Sequence, residues 1–369
     1  MKDYFFISSP LHLLMSGCIS IQSPAEEKIA IMIAKNPAAR IRLQEIAGRD
    51  PDIFNRVLCI PPTGAASRRE IRTSVFRILR DEFDKPMQAR ILTGNDRRIE
   101  FQYAMHIARR AGSQVDGVYV DEGAVTYSGH KSMYSIQHRY IDPFFKKLFY
   151  GFWYSNALTT GASSWIHTVY AAFPEAVHPL LTCKHVIPID VSPFKAQPMK
   201  ALASAMLDGH PDYPGILGGI KAVYTLPHEG AYAGCPDVYR AIGRQLCQYF
   251  KPSEIAIKPH PRITRPDLPV RMFPGAVLLD HRIGMEAILP LLGDGCVVVG
   301  DISSTLLTTR WLRPDLTVLA LVPGQGAVGG MEDLYRRLGI PMVQGRQLGE
   351  LLSCDRKTAL TGGSAAKGR

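Results

Sequence analysis

Cysteine is scarce and scattered in this chain of 369 residues: seven, at 18, 59, 183, 235, 247, 296 and 354, with no CxxC pair. That spacing excludes a structural zinc knuckle or a disulfide framework and points to a reducing compartment. No apolar run approaches the ~18 residues of a membrane span. The opening Tyr4-Phe5-Phe6-Ile7 is too short for the apolar core of a secretion signal. A cytoplasmic protein is therefore expected, with the inner face of the cytoplasmic membrane as the place where it would meet lipid. The phosphate fingerprint GxxxxGK[ST] is missing, which removes the ordinary P-loop class. The only D-x-D is Asp50-Pro51-Asp52, a proline-containing turn, so neither metal nor cofactor is expected. Acidic residues are outnumbered, 33 against 43 Lys plus Arg, for a net charge of +10. That balance favours an anionic ligand, a nucleic acid or an acidic membrane surface.

What is present reads as α/β. A chain of 369 residues exceeds what one core usually fills, so two domains are expected. Apolar strands over 4–7, 28–33, 56–60, 89–92 and 116–120 alternate with helical patterns, including a basic amphipathic one over 71–80 and another over 97–111. The alternation resumes with strands over 222–226, 255–257, 276–279, 295–300 and 316–321, and helices over 237–250, 284–291, 306–312 and 332–338. Such alternation signals a parallel sheet covered on both faces, here twice over. The expected domains are 1–190 and 205–353, divided within the Pro- and Ala-containing stretch 192–209, with a disordered Gly-, Ala-, Ser- and Lys-rich tail over 354–369. Residues 135–157 are dense in aromatics. They read as a core helix plus interdomain packing, or, with Lys146 and Lys147 among the rings, as a contact with a membrane surface or a lipid-linked acceptor.

Three strand ends carry chemistry. Residues 255–257 run into Lys258-Pro259-His260-Pro261-Arg262, where the prolines stop the strand and stiffen the loop. His260 thus stands between two cations at the carboxyl end of a strand, the edge where open α/β sheets bind ligands. An imidazole beside Lys258 and Arg262 suits a phosphate or phosphate-ester leaving group; a solvated loop is the plain alternative. Residues 116–120 deliver Asp121-Glu122-Gly123. Successive extended side chains point to opposite sides, so one carboxylate can face a crevice as a general base while the other faces the supporting structure. The alternative is an acidic helix N-cap. Residues 295–300 lead to Asp301-Ile302-Ser303-Ser304-Thr305, a helix N-terminus with free N–H groups and two hydroxyls. It reads as an anion site or as a plain Ser/Thr cap. Earlier in the chain, Ser9 is placed to cap a helix that opens at Pro10-Leu11-His12, and Thr93-Gly94-Asn95-Asp96 ends another strand.

In their order and spacing these residues resemble the bacterial sialyltransferases, in particular the lipooligosaccharide sialyltransferases and the capsule polysialyltransferases. The marks of that group are a D/E-D/E-G motif, an HP motif and a paired-serine motif, standing here as Asp121-Glu122-Gly123, His260-Pro261 and Ser303-Ser304. Ser9-Pro10-Leu11-His12 is similar to the group's Thr/Ser-Pro-Leu start. The resemblance spans residues 4–345 in layout and only short islands in identity. It implies a GT-B fold with two Rossmann-like domains facing across a cleft, a CMP-activated sugar donor, a glycan acceptor that can be lipid-linked, and inversion at the anomeric carbon without metal. It maps the catalytic base to Glu122, with Asp121 next in line, and the donor-phosphate contacts to His260, Ser303 and Ser304, flanked by Lys258 and Arg262. Ser9, His12 and Asn95 become acceptor-side candidates. Where relatives often have P-x-E, this chain has Gly284-Met285-Glu286, which leaves Glu286 as a candidate for the nucleotide ribose.

The implied chemistry is coherent. A sugar leaving through an oxocarbenium-like state needs a base on the opposite face, as in inverting glycoside chemistry. The departing CMP phosphate is met by His260 as an imidazolium, by two hydroxyls and by a helix N-terminus. Other CMP-sugars (Kdo, legionaminic or pseudaminic acid) would use the same motifs, and a UDP-sugar 2-epimerase shares the fold. A nucleic-acid-binding protein is suggested by the charge and by Arg68-Arg69, Arg97-Arg98 and Arg109-Arg110. Those pairs sit on separate helical patterns without a stacking motif, so solvated helix faces explain them better and no nucleic-acid partner is expected.

Overall fold

The structure is a computed structural model that describes residues 1–60, 68–121, 123–129, 137–207, 209–232, 235–265, 267–322, 330–344 and 347–352. Glu122 and the tail over 354–369 lie outside the described residues. The chain divides into two compact units, Met1–Asp208 and Gly209–Arg369.

The first unit is built on seven strands: β1 (Lys2–Ile7), β2 (Glu27–Met32), β3 (Arg56–Cys59), β4 (Gln88–Thr93), β5 (Gln114–Val120), β6 (Thr168–Ala171) and β7 (His185–Pro188). They pair in parallel in the order β3-β2-β1-β4-β5-β6-β7. Tyr4, Phe5, Phe6 and Ile7 are all buried, as a parallel strand covered on both faces requires. Ser9 caps the helix Pro10–Gln22 through His12 N–H, and Pro10 holds its first turn. That helix is buried from His12 to Ser20. The helix Gln197–Met206 covers it: a Cβ built on Gly17 would lie 3.1 Å from Met199 Sδ and 3.3 Å from Leu202. Residues 197–206, read from sequence as part of the dividing stretch, therefore belong to the first unit. The strands β6 and β7 escaped the sequence reading because four residues each, the last of them Pro188, carry too little periodicity.

The second unit has six parallel strands: β8 (Ala222–Thr225), β9 (Ile255–Lys258), β10 (Val277–Leu278), β11 (Val297–Asp301), β12 (Thr317–Leu321) and β13 (Met342–Val343). Their order is β10-β9-β8-β11-β12-β13, the 3-2-1-4-5-6 order of a nucleotide-binding α/β sheet, with its reversal between β8 and β11. Ligands of such sheets bind outside the carboxyl ends of the strands at that reversal.

One packing expectation is overturned. Within the described residues 137–157 a π-helical turn, Gln137–Ile141, runs into the helix Asp142–Tyr150, and the segment after it holds the buried Tyr154 and Ala157. Most of the helix's large apolar side chains are exposed and are not core.

Candidate active site

At the sheet reversal of the second unit three strand ends stand level. Gly300 pairs with Thr225, and Thr225 with Lys258. The crossing is close: a Cβ on Gly300 would lie 1.8 Å from Thr225 Oγ1 and 2.8 Å from its carbonyl oxygen, so only glycine fits. Just beyond this level come His228, His260 and the Ser303–Ser304 turn. The two histidines form an edge-to-face pair with ring centroids 5.5 Å apart. Each accepts a backbone N–H two residues on, Gly230 N to His228 Nδ1 at 3.2 Å and Arg262 N to His260 Nδ1 at 3.1 Å. With Nδ1 occupied as an acceptor, the proton of each neutral ring sits on Nε2. Desolvation, then the neighbouring His228, Arg262 and Lys258, push the His260 pKa below its usual value. His260 is therefore a neutral N–H donor at pH 7, not the imidazolium expected from sequence. His228 was missed by sequence reading. Its only signal was a Pro-His-Glu-Gly run at a strand end.

Two flanking cations also need correction. Lys258 is buried, and its ammonium donates to the carbonyls of Pro259 (2.9 Å) and His281 (3.2 Å). Burial lowers its pKa to about 8, against the attraction of Glu286 and Asp280. It braces the loop from within and does not project outward. Arg262 serves through its backbone N–H on His260, and its side chain is exposed.

The serine turn is held by a tyrosine. Tyr335 Oη donates to Ser303 O at 2.6 Å and accepts Ser303 N–H at 3.0 Å. The Ser303 side chain makes no capping hydrogen bond to the helix Ser304–Leu312, so the plain-cap reading fails for Ser303. Beside the turn, Asp301 accepts Tyr239 Oη at 2.7 Å on one oxygen. Its other oxygen is buried without a partner among the described residues, and burial raises its pKa. Glu286 folds its carboxylate over Gly284, whose Cβ would lie 2.4 Å from it. Gly284 has φ −68°, a value proline also adopts, so the missing proline of the P-x-E pattern makes room for that carboxylate. Burial raises the Glu286 pKa and the Lys258 charge opposes the rise. Glu229 accepts Thr264 N and Arg265 N, each at 3.0 Å, fixing the segment after the HP loop.

In the first unit the acidic turn is anchored by Asp121. This fully buried carboxylate accepts Gly123 N (2.7 Å), Thr126 Oγ1 (2.7 Å), Ala172 N (2.9 Å) and the Tyr127 hydroxyl. Its acceptor capacity is filled and it has no route to solvent, which removes it as the alternative base and makes it the anchor of the turn. Gly123 takes φ +100°, a conformation glycine adopts without strain. Ser9 spends its oxygen on the cap. His12 is 3% exposed, packs against Gly94, whose Cβ would lie 2.2 Å from Nε2, and shares a 2.9 Å hydrogen bond with Ser8. Burial and then Arg98 lower its pKa to about 4. His12 is thus a neutral buried support and not an acceptor contact. Asn95 is half-buried and turns the chain by accepting Arg97 N at 3.1 Å. Asp96, not anticipated, is buried and accepts Gly161 N and Ser163 N, each at 2.8 Å. Asp50 of the D-x-D accepts Asp52 N at 2.9 Å, the turn expected. Among the described residues no three His, Cys, Asp or Glu side chains converge to hold a metal ion.

No family model matches the sequence, and no curated protein matches it. Solved structures do match. An alpha/beta-galactoside alpha-2,3-sialyltransferase of the luminous marine bacterium Photobacterium phosphoreum is 11% identical with a TM-score of 0.54, over 94% of this chain and 98% of that one. A UDP-N-acetylglucosamine 2-epimerase is 13% identical with a TM-score of 0.52, over 98% of this chain and 87% of that one. A Listeria monocytogenes protein provisionally designated the same enzyme is 13% identical with the same score, over 96% and 88%. These likenesses bear on fold. Together with the two parallel Rossmann-like sheets they show a GT-B fold.

Proposed function

We propose that the chain is an inverting, metal-independent glycosyltransferase that moves sialic acid or a related nonulosonate from a CMP-sugar to a glycan hydroxyl of a surface polysaccharide or lipooligosaccharide. The observation that carries the reading is the level set of strand ends in the second unit, where His260 and the uncapped Ser303 turn flank the sheet reversal with neutral donors. Neutral N–H and O–H groups beside a helix N-terminus suit a phosphate that gains charge as the sugar leaves. The His228 ring lies beside that of His260, with centroids 5.5 Å apart. Glu122 takes the acceptor proton, its turn anchored by Asp121. Glu286 remains the candidate for the ribose. The order of the three motifs and the fold shared with a sialyltransferase support the same reading.

The test is a donor screen that measures CMP release from several CMP-sugars with a panel of glycan acceptors, alongside UDP-N-acetylglucosamine. Acceptor-dependent release of CMP from a CMP-nonulosonate is expected. Turnover of the UDP-sugar alone, with C2 inverted and no acceptor needed, would instead assign the epimerase activity of the other matched structures.

A further inference from the structure

The helix Asp142–Tyr150 is amphipathic in reverse. Its inner side is spent on the body of the first unit: Pro143 is buried, Lys146 Nζ donates to Tyr154 Oη at 3.2 Å, and Tyr150 meets Phe76 edge-on at 6.3 Å. Its outer side is apolar and bare. Ile141, Phe144, Phe145, Leu148, Phe149 and Phe152 are 48, 66, 50, 70, 78 and 93% exposed. Burial is the ordinary fate of such side chains, and a contiguous bare set marks a docking surface.

The surroundings of this stripe are cationic. Arg139 and Lys147 are exposed beside it. On the helix's inner flank lies a cleft of about 320 Å³ lined by Lys35, Arg72, Arg97, Arg98 and Lys146, with Glu100 as the one carboxylate of its lining. Glu100 engages Arg98 at 3.1 Å and Arg72 at 3.5 Å, and among the described lining residues basic side chains outnumber this carboxylate. Lys35, Arg97 and Arg98 follow β2 and β4, so the cleft opens at the carboxyl edge of the first sheet. Nine residues at ~1.5 Å each give a helix of roughly 14 Å, far too short to cross a bilayer but suited to lying in its surface.

We propose that the first unit docks on an anionic phospholipid bilayer, with the outer face of Asp142–Tyr150 and Phe152 seated among the acyl chains and the cationic cleft facing lipid phosphates. The apolar stripe supplies the insertion, and the cations supply attraction to the negative leaflet. A bilayer fits better than a protein partner because an apolar face rimmed by cations is complementary in both polarity and charge to an acidic lipid surface. The docking also gives a physical setting for a lipid-carried acceptor, since it brings the carboxyl edge of the first sheet to the membrane.

The test uses the full chain with no sugar donor, so its result is independent of the transferase reading. Vesicles of phosphatidylcholine alone and vesicles with about one-third phosphatidylglycerol are compared by co-sedimentation. Binding at least ~10-fold stronger to the anionic vesicles, and weakened by added salt, is expected. The triple variant Phe144→Ser, Phe149→Ser and Phe152→Ser should lose at least ~10-fold of that binding while keeping its circular dichroism spectrum and melting temperature, because the three rings are exposed. The pair Lys146→Glu and Lys147→Glu should lose the preference for anionic vesicles. Soluble glycerol phosphate should not displace the protein; displacement would mean a free phosphate site and not a docking surface. Equal or absent binding to the two vesicle types overturns the proposal. So does a dimer in sedimentation that the triple variant dissociates, since the covering partner would then be a second copy.

Discussion

Replacing Ser303 and Ser304 together by alanine separates a phosphate site from a helix cap. Loss of a serine cap ordinarily costs ~0.5–2 kcal/mol of stability. Here the Ser303 hydroxyl makes no capping bond, its peptide is held on both sides by Tyr335, and Ser304 is exposed in the first helical turn, where alanine is a good helix former. The double variant should thus keep its unfolding free energy to within ~0.5 kcal/mol, the range of ordinary surface changes. If the two hydroxyls donate to the CMP phosphate, their loss should weaken CMP binding by ~1–3 kcal/mol, as for charge-assisted hydrogen bonds. At ~1.4 kcal/mol per tenfold, that is a rise in Kd of roughly 5- to 150-fold. Urea unfolding and calorimetric titration with CMP on the same preparations give both numbers. A lowered unfolding midpoint with unchanged CMP affinity would refute the reasoning and return the serines to a structural role.

Glu122→Gln should preserve CMP binding and lower transfer by at least ~100-fold, the low end of general-base contributions; near-normal turnover would remove Glu122, and Asp121, already saturated, could not replace it. His260→Ala should lower kcat at least ~10-fold while changing CMP affinity less than the serine pair does, because a neutral Nε2–H matters most as charge grows on the leaving phosphate; equal losses in kcat and affinity would contradict this. Activity should survive excess EDTA, and loss restored by Mg²⁺ or Mn²⁺ would show that the phosphate is neutralised by a metal. Burial holds the His12 pKa near 4 in the folded protein against 6.5 unfolded, so unfolding takes up a proton between those values. The stability that His12 contributes is present above pH 6.5 and falls as the pH drops towards 4, by up to about 3 kcal/mol. A His12→Gln variant should show a flatter fall of urea midpoint over that window.

The layout was legible because parallel strands buried on both faces carry continuous apolar runs, and those at 4–7, 29–32, 255–257 and 297–299 are unmistakable. The short strands β6, β7 and β13 were not, since two to four residues cannot express a period. The acidic turn was legible as a pair, and the buried half of the pair could be named only once Asp121 was seen with four donors. The aromatic stretch misled because aromatic density signals core in most chains. Only the exposure of Phe149 and Phe152 shows the face turned outward.

The remaining gap concerns which strand ends meet, and that depends on sheet order, which linear reading does not contain. In sequence β8 precedes β9 by about thirty residues and β11 by more than seventy, yet in the sheet β8 lies between them. His228 therefore stands between the HP loop and the serine turn, although nothing in its own run announces a site. The same arrangement explains why Lys258 was misread. A strand residue level with Thr225 and Gly300 is still inside the sheet, so its ammonium is desolvated and committed to carbonyls. The residues that clear the edge come two or three positions later, and there the chain supplies imidazole and hydroxyl groups. Two imidazoles with Nδ1 occupied by backbone N–H groups can turn only Nε2–H outward, and Ser303 keeps its hydroxyl off the helix. On the proposed reading this division matters for turnover: neutral donors strengthen as phosphate charge develops, without the deep product well that a forward-facing pair of cations would create.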